Sequence, residues 1–154
     1  EISKVAFILS PLILGSSSSL LYKADGEWYR NLKKSELTPP SITFSIVWPI
    51  LYLLLGISLY FGIYDKSFWY WIIPVVNLAF NLTFTPIMFG ANNLLLAFVI
   101  TILTLITCIM MIMQFYTTNN FISIYLVIPY LLWLIFASYL AYDIYRLNDA
   151  KNRL

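Results

Sequence analysis

Hydrophobic and polar residues fall into long blocks along this chain, and the blocks predict membrane-spanning helices. Charged side chains cluster at the two ends and in two short internal segments, which leaves charge-free runs at 5–22, 37–64 and 67–142. A helix that crosses a bilayer needs about 20 apolar residues. The first two runs therefore hold one helix each, and the long third run holds three. We predict an all-α bundle of five transmembrane helices at about 2–22, 40–64, 67–89, 93–116 and 122–146.

Composition supports an integral membrane protein. The 154 residues are 61% hydrophobic and 10% charged, and the mean hydropathy is +0.83, which lies outside the range of soluble globular domains. We expect a single multi-pass membrane domain over 1–154. We also expect the first run to be retained as a helix and not cleaved as a signal peptide. Because residue 1 is Glu, a start methionine is expected ahead of it.

The residue inventory excludes several kinds of chemistry. Histidine is absent and Cys108 is the one cysteine, which argues against disulfides, Cys/His metal sites, axial His ligation of haem and His-based acid–base catalysis. A net charge of +2 without a basic, aromatic-rich patch argues against nucleic-acid binding. No Asp or Glu lies between 67 and 142, which argues against proton-coupled transport. We predict no cofactor, no metal and no conventional catalytic residues.

An aromatic stripe begins after Thr38-Pro39-Pro40, at the start of the second helix. Phe44, Trp48, Tyr52 and Gly56 recur every four residues, so they form one slowly turning face with three rings and a gap. Such a face either packs against neighbouring helices or lines a pocket.

The later helices carry further candidate positions. The third has Asn77, Asn81, Phe84 and Met88 at steps of four, three and four. Two amides inside hydrocarbon need partners, and interhelical hydrogen bonding is favoured over ligand contact. The fourth helix is interpreted as structural. The fifth places the following residues along one face: Pro129, Trp133, Phe136, Ala137 and Leu140.

The long polar loop at 23–37 has two interpretations. Asp25 or Gly26 can cap a short helix in which Trp28, Tyr29 and Leu32 share one side. These side chains form either an interfacial anchor or a lid over the helix ends. One side of the predicted topology carries seven Lys and Arg and the other carries two, which predicts that this loop and the C-terminus face the cytoplasm.

An ordered set of motifs resembles the TspO/translocator-protein family, the tryptophan-rich sensory proteins and peripheral benzodiazepine receptors. Residues 81–90 resemble the family's Asn-x-x-Trp-Ser-Pro-x-x-Phe-Gly. The remaining matches, which extend the resemblance over about 28–148, are Trp28-Tyr29, Thr38-Pro39-Pro40, Val47-Trp48, Leu51-Tyr52, Gly56, Pro129-Tyr130-x-x-Trp133-x-x-Phe136-Ala137 and Arg146-Leu147-Asn148. Leu37 and Phe84 depart from it, because the family commonly has Trp at both positions.

The resemblance implies a homodimer that binds porphyrins such as protoporphyrin IX and isoquinoline- or benzodiazepine-type ligands. We expect the protein to lie in a bacterial cell membrane. The resemblance also implies a receptor or carrier with a tetrapyrrole or stress-regulatory role. The alternative it leaves open is light-dependent porphyrin degradation through Trp48 and Trp133. The implied ligand contacts, together with Phe44 from the stripe, are Tyr29, Pro39, Trp48, Tyr52, Asn81, Phe84, Trp133 and Ala137.

Overall fold

The structure, a computed structural model, describes residues 2–22 and 26–149. Within them, five segments are long and apolar enough to cross a bilayer: Ile2–Leu21, Ser41–Ile63, Phe68–Gly90, Leu94–Thr117 and Phe121–Asp149. These bounds confirm the predicted all-α membrane bundle. Asp25, one of the two predicted caps, lies outside the described residues, as do Lys23, Lys151 and Arg153, which contributed to the predicted orientation.

The elements, in chain order, are α1 (Ile2–Leu21), the short α2 (Glu27–Arg30), α3 (Ser41–Ile63), a 3₁₀ turn (Phe68–Trp71), α4 (Ile72–Thr85), a π-helical turn (Pro86–Gly90), α5 (Leu94–Thr117) and α6 (Phe121–Asp149). The π-helical turn begins at Pro86, which has no amide hydrogen for the carbonyl of Leu82. The hydroxyl of Ser18 in α1 donates to that carbonyl at 3.4 Å. The third span therefore ends in a π-helical turn at Pro86, and the carbonyl that the proline leaves free bonds to Ser18 of α1.

The five long helices form a closed ring. Each packs mainly on two others, in the order α1, α3, α6, α5, α4 and back to α1. The contact between α1 and α3 is close at Gly56, where a Cβ would overlap the backbone carbonyl of Ile8. The gap in the predicted aromatic stripe is thus filled by the backbone of α1.

The half of the bundle away from residues 26–40 holds the main hydrophobic core. Its buried members are Leu51, Leu55, Leu59, Ile63, Cys108, Met111, Phe115, Val127, Tyr130 and Leu134. Within this half, Ser58 and Ser123 exchange hydrogen bonds, each hydroxyl donating at 2.8 Å to the other residue's backbone carbonyl. These bonds fix α3 against α6 without leaving a hydroxyl unpaired in hydrocarbon.

The loop between α1 and α3, described from residue 26 to 40 and called loop 1 below, covers the opposite end of the bundle. Gly26 is the N-cap of α2. Trp28, Tyr29 and Leu32 pack against a second apolar cluster, centred on Met88, Ala97 and Ile144. The aromatic residues of loop 1 therefore lie on the ends of the helices.

Candidate functional site

A cavity lies between loop 1 and the covered end of the bundle. Its lining comes from loop 1 and from every long element except α1: Tyr29, Thr38, Phe44, Phe84, Met88, Phe89, Leu94, Ala97, Ala137, Leu140, Ala141 and Ile144. Apart from the hydroxyl groups of Tyr29 and Thr38, these side chains are apolar. The site therefore suits a guest that is largely hydrophobic.

The cavity is narrow. The centre of a water molecule can reach about 70 Å³ of it, whereas pockets for drug-sized ligands enclose about 300–1,000 Å³. Tyr29 closes one side by packing edge-on against Phe89, with ring centroids 5.4 Å apart. A large planar guest would have to displace loop 1 or the side chains beneath it.

Three rings form an aromatic floor at the inner end of the cavity: Phe44, Trp48 and Trp133. Phe44 lines the cavity and meets Trp133 edge-on at 5.8 Å between centroids. The two indoles lie nearly perpendicular, 6.5 Å apart. Trp48 in turn stacks on Tyr52 at 5.4 Å. The floor therefore joins the cavity to the polar interior below it.

Below the floor, a hydrogen-bond chain crosses four helices. The hydroxyl of Tyr52 donates to Asn81 Oδ1 (2.6 Å), and Asn81 Nδ2 donates to the hydroxyl of Tyr130 (3.0 Å). That hydroxyl donates to Asn77 Oδ1 (3.1 Å), and Asn77 Nδ2 donates to the Thr104 carbonyl at 2.8 Å. Asn77 and Asn81 therefore make hydrogen bonds between helices, as predicted.

The indole nitrogen of Trp133, Nε1, takes no part in this hydrogen-bond chain. Among the described residues, its Nε1 is the one buried side-chain nitrogen or oxygen without a hydrogen-bond partner. An unpaired buried N–H costs about 1–3 kcal/mol. The indole therefore offers a donor to any acceptor that can reach the floor.

Loop 1 is braced from within by Lys34. Its Nζ donates to the carbonyls of Tyr29 and Arg30, the last two residues of α2, and of Leu32 just after it. Nζ also lies 4.4 Å from the centroid of the Tyr29 ring. Burial raises the pKa of Tyr29 above its ordinary value and lowers the pKa of Lys34. The hydroxyl at the mouth of the cavity is therefore uncharged at neutral pH.

Comparison with known proteins decides the family. The model of the TspO/MBR family matches residues 7–146. The chain belongs to the TspO/MBR family. The tryptophan-rich protein TspO of Bacillus cereus is 37% identical over 136 residues, covering 85% of this chain and 87% of that protein. The translocator protein of Sus scrofa is 29% identical over 158 residues, covering 96% and 90%. An uncharacterized membrane protein of Bacillus subtilis, YtaB, is 31% identical over 153 residues, covering 96% and 97%.

In this TspO/MBR member the predicted contact residues separate by depth. Tyr29, Phe44, Phe84 and Ala137 line the cavity. Trp48 and Trp133 lie in the aromatic floor, and Tyr52 and Asn81 belong to the hydrogen-bond chain. Pro39 is partly buried in loop 1 next to Thr38, which does line the cavity. Ligand contact by all of these residues stays a prediction.

Other lining residues were not predicted. Ala141 and Ile144 follow Ala137 at helical spacing, and this spacing was a signal that the sequence offered. Leu94 and Ala97 come from α5, whose sequence contains no aromatic stripe. Their position depends on how α5 packs between α4 and α6, which the local sequence of α5 does not reveal.

Proposed function

We propose that this TspO/MBR protein is a membrane receptor or carrier for porphyrins, such as protoporphyrin IX, and for isoquinoline- or benzodiazepine-type ligands. The observation that carries the proposal is the cavity under loop 1, with aromatic rings on several sides and an aromatic floor. Flat apolar ligands gain most from such a wall, because rings stack or meet edge-on with other rings. A tetrapyrrole-linked or stress-regulatory role would follow from such binding.

Because the cavity is narrow, a large ligand can enter only if loop 1 or the side chains beneath it move. We propose that loop 1 acts as a lid that lifts to admit the ligand and then lies against it. Support comes from the contacts that hold it, which include the Tyr29–Phe89 ring pair, a small apolar cluster and two hydrogen bonds between Asn148 and the backbone of Lys33. A segment held by so few contacts is expected to open more readily than the helices.

The unpaired indole N–H supplies a polar handle. In the proposed complex, an acceptor oxygen of the ligand reaches Trp133 Nε1 as Phe44 moves aside. A carboxylate or carbonyl would satisfy a donor that is otherwise buried without a partner. The ligand class is therefore planar, largely apolar and equipped with at least one hydrogen-bond acceptor.

A cavity-filling variant tests binding. Ala137→Leu adds volume to the cavity wall, and Ala79→Leu makes the same change on an exposed position of α4. Protoporphyrin IX is titrated in the dark into purified protein in nanodiscs, and quenching of tryptophan fluorescence is recorded. We expect saturable quenching that Ala137→Leu weakens about tenfold or more and Ala79→Leu leaves unchanged. Equal affinity in both variants would remove the cavity as the binding site.

The indole pair favours one alternative function, the light-dependent degradation of porphyrin. Trp48 and Trp133 lie 6.5 Å apart between centroids, next to the proposed site. Close indoles can exchange electrons with a photoexcited ring. Illumination of the complex should then yield a new absorbing product, and Trp48→Phe and Trp133→Phe should suppress it. Bleaching no faster than with serum albumin would leave the receptor function alone.

We also propose a homodimer in a bacterial cell membrane, with loop 1 and the C-terminus in the cytoplasm. Two faces carry small residues that let helices approach closely. The first, Ala137 and Ala141 on α6, lines the cavity and is therefore used inside the bundle. The serine-rich segment of α1 is the other small-residue face, with Ser17 and Ser19 exposed. Crosslinking of the Ser17→Cys variant tests this interface, because the native Cys108 is buried. A crosslinked dimer is expected, and its absence would argue against this face of α1 as the interface.

A further inference from the structure

The side chain of Asn148 holds loop 1 through the backbone of a single residue. Its Oδ1 accepts from the Lys33 amide at 3.1 Å, and its Nδ2 donates to the Lys33 carbonyl at 2.9 Å. Nδ2 also donates to the carbonyl of Ile144 at 2.7 Å. Asn148 is 6% exposed, so these bonds compete little with water.

The chemistry of this contact suits asparagine. The amide offers one oxygen acceptor and two N–H donors, and all three functions are in use. Aspartate would keep the bond from the Lys33 amide but would turn an oxygen toward two carbonyl oxygens. Leucine would keep the size and lose every bond.

Both partners of the Asn148–Lys33 contact are close in sequence to residues that line the cavity. Ile144, one turn before Asn148 on α6, lines the cavity wall. On the other side, Lys33 precedes Lys34, whose Nζ binds the carbonyl of Tyr29 at the mouth of the cavity. Asn148 therefore ties the wall of the cavity to the segment that covers it.

We propose that Asn148 is a positioning residue that latches loop 1 closed and so sets the rates at which ligand enters and leaves. The proposal of a ligand rests on the function proposed above, whereas the latch itself rests on the hydrogen bonds of Asn148 and can be tested without a ligand. Breaking the latch should raise the association and dissociation rates together, with a smaller change in Kd. A residue with only a structural role in α6 would not change the two rates in parallel.

The test compares variants at two chemically similar sites. Asn120 also joins two segments through its amide, accepting from the Ser123 amide and donating to the Phe61 carbonyl, but it lies at the opposite end of the bundle. Asn148→Asp is compared with Asn120→Asp. Lys33→Ala is a second control, because the latch uses only the backbone of Lys33. Lys33→Pro removes the amide hydrogen and is the second disrupting variant if Asn148→Asp fails to fold.

Two measurements are made on each variant in nanodiscs. Deuterium uptake by loop 1 without ligand should be roughly tenfold faster in Asn148→Asp and Lys33→Pro, as expected for the loss of one or two hydrogen bonds, and unchanged in both controls. Stopped-flow mixing with protoporphyrin IX in the dark should show both rates raised in the same two variants.

Each outcome separates the claims. Unchanged uptake in Asn148→Asp would overturn the latch. Faster uptake with unaltered ligand rates would overturn its role in ligand entry. If uptake accelerates but no variant and not even the unmodified protein binds porphyrin saturably, the proposed receptor function fails while the latch stands.

Discussion

The hydroxyl of Tyr130 is the centre of the hydrogen-bond chain, and its removal is the sharpest perturbation of the bundle interior. Tyr130 is fully buried, its hydroxyl accepts from Asn81 and donates to Asn77, and its ring lies against Trp48 at 6.4 Å between centroids. Tyr130→Phe keeps the ring and removes one oxygen. It leaves Asn81 Nδ2 and Asn77 Oδ1 without these partners inside the membrane.

The expected cost can be bounded from these two lost bonds. Interhelical hydrogen bonds in a membrane protein contribute about 0.6 kcal/mol on average and about 1.7 kcal/mol at most. Leaving a buried polar group unpaired costs about 1–3 kcal/mol. We therefore expect Tyr130→Phe to lower the free energy of unfolding by about 1–4 kcal/mol. Tyr52→Phe, which orphans only Asn81 Oδ1, should cost roughly half as much.

The assay is reversible unfolding in mixed micelles with increasing dodecyl sulfate, followed by circular dichroism. Tyr125→Phe is the matched control, because Tyr125 lies on the same helix and is 75% exposed. The control should unfold with the unmodified protein. If Tyr130→Phe falls within about 0.3 kcal/mol of Tyr125→Phe, the hydrogen-bond chain does not stabilise the bundle and the reasoning is wrong.

Further predictions concern helix approach, ligand chemistry and pH. Gly56→Ala should destabilise the bundle by about 2 kcal/mol or more, because its Cβ would overlap the Ile8 carbonyl, whereas Gly26→Ala, which has open space, should be nearly neutral in thermal unfolding. Etioporphyrin, which has no carboxylates, should bind more weakly than protoporphyrin IX in titration calorimetry, and Trp133→Phe should reduce that difference; an undiminished difference would mean that Nε1 does not contact the acceptor. Burial raises the pKa of Tyr29 and keeps its hydroxyl protonated between pH 6 and 9. In dark quenching titrations over this range, the affinity of the unmodified protein and that of Tyr29→Phe should therefore depend on pH in the same way.

Hydropathy and turn residues predicted the helix bounds well, since bilayer thickness imposes a minimum length on each apolar run. The predicted 40–64 is Ser41–Ile63 in the structure. The last helix differs more, continuing to Asp149 where we predicted an end at 146. Its final turn is stabilised by Asn148, which bonds the Ile144 carbonyl and loop 1, and a contact with a loop far away in sequence leaves no periodic signal.

The sequence predicted which face of each helix contributes to the candidate site, but not how far along the helix the cavity extends. A helix rises 1.5 Å per residue, so the stripe from Phe44 to Tyr52 descends roughly 12 Å. One stripe therefore passes through the cavity wall, the aromatic floor and the hydrogen-bond chain. Periodicity identifies the face of the helix, but where a cavity begins and ends along that face depends on the neighbouring helices.

Energy transfer from single tryptophans to bound protoporphyrin IX tests the central claim most directly. Three proteins each retain one tryptophan, with phenylalanine at the other four positions: Trp28 in loop 1, Trp133 in the floor, or Trp69, which is 75% exposed at the far end of the bundle. If the ligand lies under loop 1, quenching at saturation is strong for Trp28 and Trp133 and weakest for Trp69. Quenching that is equal at all three positions, or strongest at Trp69, would place the porphyrin outside the cavity and contradict the account.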